Sequence, residues 1–143
     1  MNRYLFLDFD GVLHTSEPPR DLRFAKYLVP IVAELELQVV ISSTWREVYS
    51  VQAMAQKLGD LGRFVIDKTP VWPSEDLPET GGRQKEIEAW LAESATSAAA
   101  WVALDDDRDN YRSSCNRAFI TDKTVGLNAE MARQFARWCE SRF

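Results

Sequence analysis

A single histidine and two cysteines among 143 residues leave little material for a transition-metal site. Cys115 and Cys139 lack the paired spacing of a zinc cluster and are too few for a disulfide framework. Two reduced thiols are expected. Cationic excess is lacking too: 17 Lys and Arg stand against 22 Asp and Glu, a net charge of −5. Generic nucleic-acid or anionic-membrane binding uses a cationic footprint, which this composition does not supply. No apolar run approaches the ~20 residues that cross a bilayer. The N-terminal run Tyr4-Leu5-Phe6-Leu7 is broken at once by Asp8 and Asp10, unlike a secretory leader. A cytoplasmic protein with no membrane partner is the expectation. Repeats, low-complexity tracts and linkers are also lacking, so residues 1–143 read as one domain.

What is present is ordinary globular material, 45% hydrophobic and 27% charged. Short apolar runs alternate with amphipathic stretches, the order of α/β layering. Strands are expected at Tyr4–Phe9, Leu37–Ile41, Phe64–Ile66, Trp101–Leu104 and Ala118–Ile120. Helices are expected at Leu22–Leu35, kinked or divided by Pro30, and at Arg46–Leu58, stopped by Gly59. Two more are expected at Arg83–Glu93 and Ala129–Cys139. Prolines 70, 73 and 78 with Gly81 and Gly82 mark a long loop before the third helix. Residues 94–100 read as small-residue loop or frayed helix.

Strand-then-helix order implies a parallel sheet with every strand's carboxyl end at one edge, where open α/β sheets bind ligands. The residues just past the strands are therefore the candidates. They are Asp8, Asp10 and Gly11; Ser42, Ser43 and Thr44; and Asp105, Asp106 and Asp107. Carboxylates converging without a cation raise one another's pKa. A hard divalent ion such as Mg²⁺ resolves that conflict, and oxygen ligands suit it. A carboxylate also serves as a nucleophile, and a second one as general acid and then base. Gly11 permits a sharp turn with its N–H close to a phosphoryl oxygen. A hydroxyl after the second strand donates to another such oxygen.

Phe6-Leu7-Asp8-Phe9-Asp10-Gly11-Val12-Leu13 closely resembles the first motif of the haloacid dehalogenase (HAD) superfamily. Val39-Val40-Ile41-Ser42-Ser43 is similar to its second motif, with Ser43 preferred and Ser42 the alternative. Val102-Ala103-Leu104-Asp105-Asp106 resembles the fourth motif in its paired-Asp form. The third motif, a lone cation at the start of a helix, falls on Arg83 or on Lys85, with Arg83 preferred. Ser-Thr-Trp-Arg after the second strand and Glu86 to Leu91 resemble small bacterial HAD domains related to those in RNA-repair proteins.

The resemblance implies a three-layer Rossmann-like core with a central parallel sheet of about five strands, and no insertion after the first or third strand is long enough for a large cap. It implies that Asp8 is nucleophile and Mg²⁺ ligand. Asp10 is then acid/base and touches the metal through its backbone carbonyl. Asp106 is implied as the direct acidic ligand of its pair, with Asp105 water-bridged or orienting its neighbours. The extended run through Asp107 and Asp109 leaves the metal-bound set open. An Asp at the second position goes, in this superfamily, with phosphatase activity. An uncapped site favours a bulky phosphorylated substrate such as a nucleic-acid end, although the net charge does not support nucleic acid.

Two rivals stand beside this reading. A catalytically idle HAD fold used as a binding module is one. A receiver-type signalling domain is the other, since Asp67-Lys68-Thr69-Pro70 superficially resembles a phospho-acceptor segment. His14 is expected in a surface loop, where HAD domains have a flap. Trp45, Trp90 and Trp101 are expected in the core, Trp72 is the loop aromatic to watch, and Arg133 and Arg137 are expected to be solvated.

Overall fold

The computed structural model describes residues 2–94 and 100–143. Five strands carry the fold: β1 (Arg3–Leu7), β2 (Gln38–Ile41), β3 (Val65–Lys68), β4 (Ala100–Asp105) and β5 (Ala118–Ile120). Every pairing is parallel, in the order β3-β2-β1-β4-β5. The order reverses between β1 and β4, so the crevice at that reversal is the expected ligand position. Helices α1 (Ala25–Leu35), α2 (Val51–Lys57), α3 (Gly82–Ser94) and α4 (Ala129–Glu140) flank the sheet. This is the three-layer Rossmann-like architecture expected, with no large cap among the described residues.

Alternation along the strands feeds two cores, one on each face of the sheet. Leu5, Leu7, Val39, Ile41, Val102 and Leu104 pack on one side with Leu28 and Phe135. Tyr4, Phe6, Val40 and Ala103 pack on the other with Ile87 and Trp90 of α3. Each fully buried Leu, Ile or Phe contributes roughly 1.5–3 kcal/mol relative to exposure.

Several boundaries differ from the sequence expectation. α1 is one helix and is not divided at Pro30; it starts at Ala25 because Leu22 has a left-handed φ of 59°. The stretch Arg46–Leu58 is not one helix. A 3-10 turn (Thr44–Glu47) is followed by α2, and Ser50 separates them by accepting the Ala53 N–H at 3.1 Å as an N-cap. Val48, expected on an apolar stripe, is 78% exposed in consequence. Gly59 does sit just past α2 with a φ of 62°, as a helix stop should. Residues 95–99, within the stretch expected to be loop or frayed helix, lie outside the described residues. Both cysteines are free, and burial pushes the Cys139 thiol up to about 12. No described helix is long and apolar enough to cross a membrane.

Candidate active site

β1 ends at Leu7, and the Asp8 N–H still pairs with the Leu104 carbonyl at 3.0 Å. Asp8 therefore leaves the sheet beside the end of β4, where Asp105 and Asp106 stand. One carboxylate oxygen from each of Asp8, Asp105 and Asp106 lies within 4.8 Å of the other two. Phe6 and Ala103 share one face, so continued alternation puts Asp8 and Asp105 on that same side. Gly11 follows with a φ of 75°, and a Cβ there would lie 2.7 Å from Asp106 Cγ. Only glycine permits both the turn and this approach.

The cluster is electrostatically costly. Burial, reinforced by Asp105, holds the Asp8 carboxyl well above the usual range, although Arg83 opposes the shift. Burial and Asp105 push Asp106 up to about 6. Asp105 is fully buried but well supplied with donors. It accepts from the Asp106 and Asp107 N–H groups, the Asn110 amide and the Tyr111 hydroxyl. Burial and Asp105 in turn keep the Tyr111 phenol protonated. Three converging carboxylates with oxygen-only donors fit a hard divalent cation, and no Cys or His joins them. Asp107 and Asp109 lie outside the group; Asp107 instead caps the following turn by accepting the Asp109 N–H at 2.9 Å.

Asp10 has a different environment. Its carboxylate accepts from His14 Nε2 at 2.7 Å and from Trp45 Nε1 at 3.1 Å. His14 Nδ1 accepts the Leu22 N–H at 3.2 Å, so Nε2 is the nitrogen that carries hydrogen toward Asp10. His14 is completely buried, which corrects the expectation of a surface loop residue. Its burial follows from the chain folding back through Leu22, a contact no local pattern announces. Trp45 does pack on Phe9 as a core aromatic would, with ring centroids 5.2 Å apart, but its indole N–H serves Asp10.

Both candidate serines are buried. Ser43 Oγ accepts the Trp45 N–H at 3.2 Å and caps the 3-10 turn, which leaves its hydroxyl hydrogen free to donate. Ser42 Oγ is a buried hydroxyl without a partner among the described residues. Val40 faces the Phe6 side, so Ser42, two residues on, faces the Asp8 side. Thr44 is exposed at the rim.

α3 delivers the cation. Arg83, Glu86, Ile87 and Trp90 share one helical face. Its apolar end packs under the sheet, and its charged end reaches the strand termini. Arg83 Nε is 4.0 Å from Asp105 Oδ2 and has no hydrogen-bond partner among the described residues. Lys85 points elsewhere: its Nζ contacts the Asp76 carbonyl at 3.3 Å and lies 4.6 Å from the Trp72 ring centroid. The structure thus brings Arg83, and not Lys85, to the carboxylates.

Two further residues frame the site. Arg46 donates to the carbonyls of Ser42, Ser43, Thr69 and Pro70 and pairs with Glu86 at 2.9 Å. Glu86 also engages Arg83 at 3.3 Å and the Trp72 N–H at 3.0 Å. Their sequence motif was visible, but their role was not, because every Arg46 partner except Glu86 is backbone. Asp67, the receiver-like acid, is spent on the Trp90 indole at 2.8 Å.

A family model described as the HAD domain in Swiss Army Knife RNA repair proteins matches residues 4–132. Neither a curated protein nor a solved structure gives a match.

Proposed function

This chain belongs to the HAD domain family of Swiss Army Knife RNA repair proteins, and on that premise we propose that it is an Mg²⁺-dependent phosphomonoester hydrolase. The observation that carries the reading is the separation of two neighbouring carboxylates. Asp8 stands in the acidic cluster, whereas Asp10 is turned onto His14 and Trp45 with its side chain 39% exposed. One is placed to attack and the other to move a proton.

Asp8, Asp105 and Asp106 would hold the cation, joined by the Asp10 backbone carbonyl. Bound there, Mg²⁺ would supply positive charge to the phosphoryl oxygens and relieve the repulsion among the three carboxylates. In the first half-reaction an Asp8 oxygen attacks phosphorus. The bond to the leaving oxygen breaks, and that oxygen takes the Asp10 proton. In the second, Asp10 accepts a proton from water and the water oxygen attacks phosphorus. The Asp8–phosphorus bond then breaks and inorganic phosphate forms.

Arg83 supplies positive charge beside Asp105, steadied by Glu86. Ser43, or the unpartnered Ser42, donates to a phosphoryl oxygen together with backbone N–H groups around Gly11. The open edge and the family's description favour a bulky substrate such as a nucleic-acid end, inside the cell.

Phosphate release from p-nitrophenyl phosphate with Mg²⁺, and after chelation, tests the proposal. The expected result is turnover that needs the metal and disappears in Asp8→Asn. Metal-independent turnover, or activity retained without the Asp8 carboxylate, contradicts it. Absence of turnover on a wide panel of phosphomonoesters would favour the idle binding module instead.

A further inference from the structure

Asp10 borders a hollow of ≈ 330 Å³ whose walls are Arg20, Thr44, Trp45, Val48 and Tyr49. A larger hollow of ≈ 430 Å³ lies on the side of Arg46, Trp72 and Arg83 and does not include Asp10. We propose that the smaller hollow is the leaving-group subsite and that it takes an aromatic ring bearing an anionic substituent. The proposal rests on the reading of Asp10 as the proton donor.

The choice between the hollows follows from where a proton must travel. A general acid has to lie within hydrogen-bond reach of the oxygen it protonates. Asp10 is held from both of its oxygens, by His14 and by Trp45, so its position is fixed. The departing oxygen must sit beside it. The group attached to that oxygen then extends into the hollow that Asp10 borders, whatever the volume of the other.

The walls specify what fits. The Trp45 and Tyr49 rings are 5.8 Å apart and tilted by 42°, forming an aromatic shelf. Val48 and Tyr49 are both exposed, at 78% and 37%, among the few large apolar side chains left to solvent. That exposure goes with the break between the 3-10 turn, which stops at Glu47, and α2, which Ser50 caps; Val48 and Tyr49 lie in that break. A ring laid on this shelf covers apolar surface and meets aromatic faces, which a small alkyl group or a polyol cannot do.

Charge completes the specification. Arg20 lines this hollow and the adjoining one of ≈ 300 Å³, which Lys57 also lines. Lys57 Nζ stands 4.6 Å from the Tyr49 ring centroid. Arg20 forms no ion pair among the described residues, while Asp21 beside it is engaged by Arg23 at 3.0 Å. Two cations thus flank an aromatic shelf in a chain of net charge −5. An anionic substituent on the ring complements them.

The test compares kcat/KM for methyl phosphate, 2-naphthyl phosphate and 6-sulfonato-2-naphthyl phosphate, with Mg²⁺ present. Ratios between substrates are read in each variant relative to wild type, so intrinsic leaving-group reactivity cancels. Tyr49→Ala is expected to lower the naphthyl-to-methyl ratio about tenfold, while Tyr49→Phe preserves it. Arg20→Gln is expected to lower the sulfonated-to-plain naphthyl ratio about threefold. Ratios unmoved in an active protein overturn the subsite and leave the phosphatase reading standing. A naphthyl preference lost in Trp72→Ala instead assigns the ring to the larger hollow and likewise overturns it. No turnover of any of the three by wild type overturns the phosphatase reading and the subsite with it.

Discussion

Asp8 and Asp10 are two residues apart on the same strand end, yet their surroundings are opposite. Burial first, and the carboxylates of Asp105 and Asp106 with it, raise the pKa of Asp8, with the Arg83 guanidinium as relief. Asp10 is partly open to solvent and accepts from two ring N–H donors that fix its direction. The Gly11 turn produces the difference, because it carries the chain away from the sheet immediately after Asp10. On the proposed reading, one sequence motif yields a cation-seeking group and a proton-moving group. The electrostatic cost falls on the cluster, where burial holds Asp8 and Asp106 above the ordinary carboxyl range.

The largest effect that sharpens this contrast comes from Asp8→Asn. The amide is nearly isosteric but is no nucleophile, so turnover should fall roughly 10⁴-fold or more while the unfolding midpoint is kept. Asp10→Asn should lower steady-state turnover about 10²–10⁴-fold, more for alkyl than for aryl phosphates, whose leaving groups need less protonation. Equal losses on both substrate types would place Asp10 outside proton transfer.

The third prediction concerns the frame behind the cluster. Glu86→Leu removes the carboxylate that pairs with buried Arg46 and leaves Arg83 to Asp105 at 4.0 Å, a change expected to cost about 3–5 kcal/mol in denaturant unfolding. A loss under about 1 kcal/mol would show that backbone carbonyls alone satisfy Arg46. His14→Phe retains the ring volume but removes one of the two donors to Asp10, leaving Trp45. It should slow alkyl phosphate turnover about tenfold with little change in KM, as a misdirected proton donor would.

The smallest effect is on stability and depends on pH. The folded protein holds Asp106 at about 6, above the ordinary aspartate value of 3.8, so it binds that proton more tightly than the unfolded chain does. Stability of the metal-free protein therefore falls as pH rises between those values, with the penalty absent below the lower value and complete above the upper. Asp106→Asn removes the penalty. It should raise metal-free stability by about 1 kcal/mol near pH 7.5, after allowance for solvent screening, and add nothing near pH 3. With Mg²⁺ the order should reverse, since wild type alone keeps the full ligand set. Thermal unfolding in chelator and in Mg²⁺ reads both.

The sheet was legible in the sequence because strands buried on both faces are continuous apolar runs, and all five were found within two or three residues. The acids at the ends of β1 and β4 were legible because nothing in the apolar pattern required them. The split of the second helix was not, since Val48 and Val51 fit a helical stripe and only the Ser50 cap shows the break. His14 was missed for a different reason. Its role depends on Leu22 folding back onto its ring, a tertiary contact without periodicity. The choice of Arg83 over Lys85 was legible only as a preference, because both lie in the first turn of α3 and the Asp105 and Trp72 contacts separate them.

The most direct test of the division of labour between the two carboxylates is intact-protein and peptide mass spectrometry on acid-quenched Asp10→Asn. The protein would be mixed with an aryl phosphate in Mg²⁺. The account predicts a burst of aryl alcohol near one equivalent of enzyme and one phosphoryl group on the peptide carrying Asp8. Steady turnover with no phosphorylated peptide, or a phosphoryl group on another residue, would contradict it.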